Sequence, residues 1–212
     1  EAFAKQRLHV DISKISGSPE EFRYRNRMDF AFANSDTGPI LGLHEKGDPR
    51  DRSHRMTPVC EINDCWLGSD DANSILTAVQ DEFRGSRLRA YNPVTRAGVL
   101  RGLEVRSGVE GSSVSLSVAN DKHVPVDKIV SRLERKTVGV SIRVGRSRSK
   151  HATPKKLETV SGQNRQTIAI LGNSISLSGG VFSQVNVFQM EKLYQIALEM
   201  AKVESGHHVL DL

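Results

Sequence analysis

The residues best placed to do chemistry lie near the end of the chain, in Phe182-Ser-Gln-Val-Asn186. Gln184 and Asn186 stand just before an amphipathic stretch, which is followed by Gly206 and the short apolar run Val209-Leu-Asp-Leu212. In a nucleotide-type α/β fold, the ligand loop comes directly after such a strand. The segment therefore reads as the approach to a cofactor site, without most of the site itself. Sulfur is the second candidate. Cys60 and Cys65 are the two cysteines, too few for a disulfide framework in a chain with no secretion signal. A structural zinc site takes four ligands, so these two would need help from His44 or His54. The third candidate set is basic: Arg25, Arg27, Arg101 and Arg106, and a loop from Gly145 to Lys156 carrying Arg146, Arg148, Lys150, Lys155 and Lys156. Such groups contact phosphates and set position rather than sequence, and a solvated basic surface is the alternative reading of the loop.

These groups need a scaffold. A chain of 212 residues, with 37% hydrophobic and 26% charged residues, holds one large domain, or one domain and a piece of another. No apolar run is long enough to span a membrane, so no membrane partner is expected, and no obligate protein partner either. The start, Glu1-Ala-Phe-Ala-Lys-Gln6, has neither a signal peptide's pattern nor an initiator Met. The expectations are a chain that begins inside a longer protein and a cytoplasmic location. A net charge of +5 favours a polyanionic partner without naming one.

Alternation in Arg27–Ala33 puts Met28, Phe30 and Phe32 on one face of a strand. Turn residues 34–39 and a return strand over 40–44 make a hairpin. A loop is expected over 45–58. The spacing predicts a helix over 72–84, capped by Asp70 or Asp71, with Ile75, Leu76, Val79 and Phe83 buried. Strands over 98–106 and 113–119 form a second hairpin. In the latter strand Val114, Leu116 and Val118 alternate with serines, predicting one buried and one wet face. A helix over 125–135 starts at Pro125, and Val138, Val140, Ile142 and Val144 alternate in the next strand. Short strands near 166–171 and 174–178 lead to Gly179-Gly180, the candidate domain boundary. The fold class that follows is α+β, a mainly antiparallel sheet with helices over residues 1–178. Residues 179–212 would start an α/β domain: a helix with Asn186 as N-cap and Gln189 in the capping-box place, a stripe of Val187, Met190, Leu193, Tyr194, Ala197, Leu198 and Ala201, and a first buried strand at Val209–Leu212.

Four segments, taken in order, resemble the class I RNA uracil-5-methyltransferases, which form 5-methyluridine in transfer or ribosomal RNA. They are Tyr24-Arg-Asn-Arg-Met-Asp-Phe30, Gly98-Val-Leu-Arg-Gly-Leu-Glu-Val-Arg106, Phe182-Ser-Gln-Val-Asn186 as the family's Phe-x-Gln-x-Asn, and Val209-Leu-Asp-Leu212 as the strand that runs into a Cys-Gly-x-Gly loop. The resemblance implies an α+β central domain leading into the first helix and strand of a class I methyltransferase domain. It also implies S-adenosylmethionine as cofactor and RNA as partner. Gln184 would contact the cofactor, where a neutral amide donates and accepts without adding charge beside a sulfonium. Phe182 would lie beside the flipped uracil and stack on it, or serve as core packing. Asn186, Arg25, Arg27 and Arg101 fall in matching substrate-side segments. Many members bind a four-iron four-sulfur cluster through four cysteines. Thr57-Pro-Val-Cys-Glu-Ile62 matches the place of the fourth, so Cys60 is the candidate ligand, and Cys65 reads as a small buried hydrophobe.

In the chemistry the resemblance implies, a cysteine thiolate adds to C6 of uracil, and C5 then attacks the methyl group of the sulfonium. A carboxylate removes the C5 proton and the thiolate leaves. Neither Cys60 nor Cys65 sits in the nucleophile's context, so no catalytic residue is assigned in this chain, and the chain alone is expected to be inactive. Two other readings compete: a non-catalytic RNA-binding or accessory protein complete as written, and a class I methyltransferase acting on another substrate.

Overall fold

The computed structural model describes residues 14–47, 58–145 and 156–210. Seven strands form one sheet in the order β3-β2-β1-β4-β5-β6-β7. They are β1 (Arg27–Ser35), β2 (Gly38–His44), β3 (Val59–Glu61), β4 (Leu100–Gly108), β5 (Gly111–Val118), β6 (Thr137–Val144) and β7 (Lys156–Gly162). Every neighbouring pair is antiparallel except β5 and β6. That parallel pair needs a crossover, which helix α2 (Val126–Leu133) supplies. Helix α1 (Asp70–Phe83) joins β3 to β4.

Register carries the apolar stripes straight across the sheet. Met28 faces Val105, Val105 faces Val114, and Val114 faces Val140. One row along, Phe30, Leu103, Leu116 and Ile142 do the same. Both rows, with Ile75, Leu76, Val79 and Phe83 of α1 and Ile129 and Leu133 of α2, make one buried core. Phe32 meets Phe83 edge-on, ring centroids 5.3 Å apart. Cys65 packs partly buried against this core.

Several expectations change. Ser69, not Asp70 or Asp71, caps α1: its side chain accepts from the Ala72 N–H at 3.2 Å, leaving the two aspartates in the first turn, where the helix dipole favours them. The serine face of β5 is not wet. Ser113 and Ser115 are buried because β8 (Arg165–Ile170), which pairs with β9 (Asn173–Ser178) in a second, two-stranded sheet, packs against β4 and β5. Gln166 donates to the Ser107 carbonyl there, and a side chain at Gly108 would strike Gln166 and the Thr167 carbonyl. Strands β3 and β7 fall in stretches that the patterning assigned to no element, β3 just after the expected loop 45–58 and β7 from the end of the basic loop. The basic loop's residues 146–155 lie outside the described residues, and Lys156 opens β7.

Helix α3 (Val187–Ala201) forms as the spacing predicts, but only Met190 of its stripe is buried, against Ile168 and Ile170. Leu193, Tyr194 and Leu198 are 52%, 43% and 57% exposed, because no described element lies over that side of the helix. This small core joins residues on both sides of Gly179-Gly180. Lys202 closes α3 in the left-handed conformation. Gly206, with φ 87°, sits in the turn closed by His207 N–H to Glu204 O, a place that favours glycine. Val209 and Leu210 form no strand and are exposed: among the described residues none pairs with their backbone. Asp211 and Leu212 lie outside the described residues. No described helix is long and apolar enough to cross a membrane.

Candidate functional site

Beyond the N-terminal end of β1, three segments lie side by side. The Arg23 N–H donates to Trp66 O at 2.7 Å and the Arg25 N–H to Leu67 O at 2.9 Å. On the other side, the Asn26 N–H donates to Val185 O at 2.9 Å, and Arg25 bridges to Asn186 as well as to Gly68. The fold thus brings Phe182–Asn186 against Tyr24–Arg27, segments some 160 positions apart in the chain. Asn186 fixes the junction twice. Its Oδ1 accepts the Gln189 N–H at 3.1 Å, capping α3, and its Nδ2 donates to Ser18 Oγ at 3.0 Å. Gln189 does not complete the capping box; its Nε2 donates to Ser16 O at 3.0 Å instead.

Gln184 is exposed, and among the described residues its amide has no hydrogen-bond partner. Phe182 is 76% exposed, so core packing does not account for it in this chain. Neither side chain is held by another described residue, whereas Arg27 and Arg106 are already engaged. Arg27 Nη2 lies 2.8 Å from Glu104 Oε2 and its Nε 3.1 Å from Asp29 Oδ2. Arg106 is buried and donates through Nε to Glu104 Oε1 at 2.9 Å, so it cannot serve as a phosphate contact. Arg143 adds a third guanidinium, 3.8 Å from Glu104. Arg25 is half-buried.

Polar satisfaction is incomplete in this corner. Ser16 Oγ, Arg25 Nε, Asn26 Oδ1, Arg27 Nε, Glu104 Oε2 and Arg106 Nη2 are the buried side-chain atoms left without a hydrogen-bond partner among the described residues. Arg27 and Glu104 are at ion-pair distance there but off the line of a hydrogen bond. Buried orphans carry a cost that water or a ligand oxygen removes.

Arg101 lies apart. Arg27 pairs with Arg106 on β4, and five residues of strand separate Arg106 from Arg101, about 17 Å. There Arg101 Nη1 donates to Gly145 O at 2.8 Å, and its guanidinium sits 4.8 Å from the centre of the Tyr91 ring. Burial lowers its pKa.

Cys60 is elsewhere again, on edge strand β3 opposite Leu43. Its exposed thiol donates to Glu45 Oε1 at 3.3 Å. That hydrogen bond, then burial and the carboxylate's charge, push its pKa up. A cluster or zinc ligand must be a thiolate, and no group of three or more His, Cys, Asp or Glu among the described residues could hold a metal. The described residues therefore do not fit an iron–sulfur cluster, and His54 lies outside them. Sequence reasoning missed the aromatic pair Phe22 and Trp66 beside the three-segment ladder. The run Phe22-Arg23-Tyr24 just ahead of β1 was the available signal.

No family model matches the chain. It is similar over its whole length, at 27% identity, to an uncharacterized RNA methyltransferase of Clostridium tetani, of which it covers 47%. At 29% identity, 89% of the chain matches the uncharacterized RNA methyltransferase YljE of Lactococcus lactis, covering 40% of it. Among solved structures, the Pyrococcus abyssi tRNA (uracil-54, C5)-methyltransferase in complex with S-adenosyl-L-homocysteine superposes with a TM-score of 0.69 at 16% identity, over 93% of this chain and 44% of that one. The resemblance read from the motifs thus extends over almost the whole chain, and the fold is shared with a methyltransferase. The chain spans less than half the length of these relatives.

Proposed function

We propose that the chain is the RNA-handling part, and the approach to the cofactor site, of an S-adenosylmethionine-dependent methyltransferase acting at C5 of a uridine in transfer or ribosomal RNA. The division at 178/179 separates an RNA-handling unit from the start of the methyltransferase domain in this reading. The observation that carries it is the docking of Val185-Asn186 on Arg25-Asn26, which sets an exposed amide and an exposed ring next to two arginines. Gln184 fits a contact to S-adenosylmethionine, because its amide can donate and accept and has no competing partner. When bound, that cofactor supplies the methyl group. Phe182 offers its face to the extruded base, and Asn186 holds both in place through the cap of α3. Arg25 and Arg27 meet phosphates flanking that base, with the Glu104 network holding Arg27 in position. Arg101 would contribute at the far end of β4.

Neither thiol in the chain is suited to attack C6. Cys60 is held protonated by Glu45, and Cys65 is packed against the core. Cys60 as a cluster ligand would require thiols beyond the two in this chain. The chain by itself is therefore expected to bind RNA without methylating it. Incubated with S-adenosylmethionine and a uridine-containing transfer RNA, it should transfer no methyl group above background. Replacing Arg25 and Arg27 with Ala should weaken RNA binding and flatten the dependence of log K on log salt by about 0.7–0.9 for each phosphate no longer neutralised. Affinity and slope that stay at the wild-type values would remove these arginines from the interface, and an RNA that never binds would leave the reading without support.

A further inference from the structure

Trp66 is the chain's one tryptophan, and it is 67% exposed, although tryptophan is a highly buried residue on average. Phe22, 52% exposed, meets it edge-on with ring centroids 5.5 Å apart and planes at 89°. The two rings cover one another only in part, so a broad aromatic face is left to solvent.

The loop that carries this face is pinned. Arg23 Nη1 donates to Asp64 Oδ1 and to the Cys65 carbonyl, both at 2.7 Å, and Nη2 to Asp64 Oδ2 at 2.9 Å. From the other side, Asn73 on α1 accepts the Cys65 N–H at 2.8 Å and donates to the carbonyls of Cys65 and Gly68. Little further ordering is needed for a ligand to use a surface held this way.

Its place is equally defined. Trp66–Gly68 and Val185-Asn186 flank the same strand-like segment, Arg23–Asn26. Two strand spacings, about 10 Å, separate the aromatic loop from the Phe182–Asn186 segment. Charge then decides what can land there. Glu20 and Glu21 precede Phe22, and Asp64 and Asp70 flank Trp66, with Arg23 paired to both aspartates at 2.7 and 3.3 Å. Carboxylates repel a phosphate backbone but do not deter a neutral ring. Arg25 and Arg27 follow Arg23 toward β1 and are the groups suited to phosphates.

We infer that Trp66 and Phe22 form a stacking platform for an unpaired base of the RNA, a neighbour of the nucleotide presented at Gln184. The inference rests on the RNA-substrate reading and deepens it: the substrate is engaged as a splayed single strand, in which bases stack on aromatic side chains.

The single tryptophan makes the test direct. The probe is a short oligouridine, with an RNA duplex of equal length for comparison, each labelled for anisotropy. Oligouridine should quench the Trp66 emission and the duplex should not. Trp66→Ala should weaken oligouridine binding about ten-fold, Trp66→Phe should restore most of it, and Arg132→Ala on α2 should change nothing. Oligouridine that binds with unaltered Trp66 emission, or equally well to Trp66→Ala, overturns the platform and leaves the RNA reading standing. Emission that is already blue and shielded from acrylamide in the free protein also overturns it, since a protein surface would then cover the rings. Wild-type protein that binds neither RNA overturns both.

Discussion

At the scale of single residues, exposed side chains without a hydrogen-bond partner among the described residues contrast with side chains already held by a neighbour. Gln184 and Phe182 are exposed and unengaged, whereas Arg27 and Arg106 are committed to Glu104. Cys60 belongs to the second kind. Its thiol is stabilised in the protonated form by Glu45, so Glu45→Ala should lower its pKa and speed its alkylation at neutral pH. A rate of iodoacetamide labelling unchanged by that substitution would show that the carboxylate does not control the thiol. The roles proposed for Gln184 and Phe182 rest on the motif they share, since spacing alone assigns them none. Nothing in the spacing of Arg25, Arg27, Arg101 and Arg106 says which of them are buried, because burial is decided by strands and hairpins distant in the chain. Glu104 lies on the same strand as two of these arginines, yet its pairing with Arg27 exists only through the β1–β4 register.

At the scale of elements, period-two alternation located β1, β5 and β6, the turn and hairpin links located β2 and β4, and helical spacing located all three described helices, because an apolar stripe repeats at the period of its element. Strand β7 escaped for the opposite reason. Its burial pattern is almost wholly exposed, and it is held by backbone pairing to β6 rather than by apolar side chains. Strand β3 has three residues, too few to show a period. The wet face expected of β5 is dry because β8, more than forty residues on, covers it. Gly42 shows how tightly β3 is laid down: a Cβ there would collide with the backbone carbonyl of Cys60. Gly42→Ala should therefore peel β3 from the sheet edge. The expected signs are lost hydrogen-exchange protection in β3 and a stability loss of about 1–3 kcal/mol in urea unfolding. Protection that survives the substitution would mean that the edge can shift to accept a methyl group.

At the scale of the whole molecule, the sheet and its two helices bury one continuous core, while α3 leaves most of its apolar surface in solvent. Leu193, Leu198 and Met200, the last 77% exposed, make a surface that favours association. Sedimentation of the chain should show concentration-dependent oligomers, and Leu193→Glu with Leu198→Glu should return it to monomer without loss of thermal stability. A monomer at all concentrations before any substitution would show that this surface is not adhesive by itself. The mainly antiparallel sheet with its helices is the architecture that the sequence patterns outlined for residues 1–178, but the parallel crossover between β5 and β6 was visible only in the structure.

The contacts of Asn186 with Ser18 and of Gln189 with Ser16 join residues 168 and 173 positions apart. A loop that long has a large closure entropy if the chain between is unfolded, and a much smaller one once the sheet has formed. The order of assembly follows. During synthesis the N-terminal segment leaves the ribosome first, without its partner, and the sheet builds before Phe182–Asn186 is available. The junction therefore closes last. Held by a handful of polar bonds, it should also be the first part to open in the native state, as a local unfolding unit distinct from the sheet.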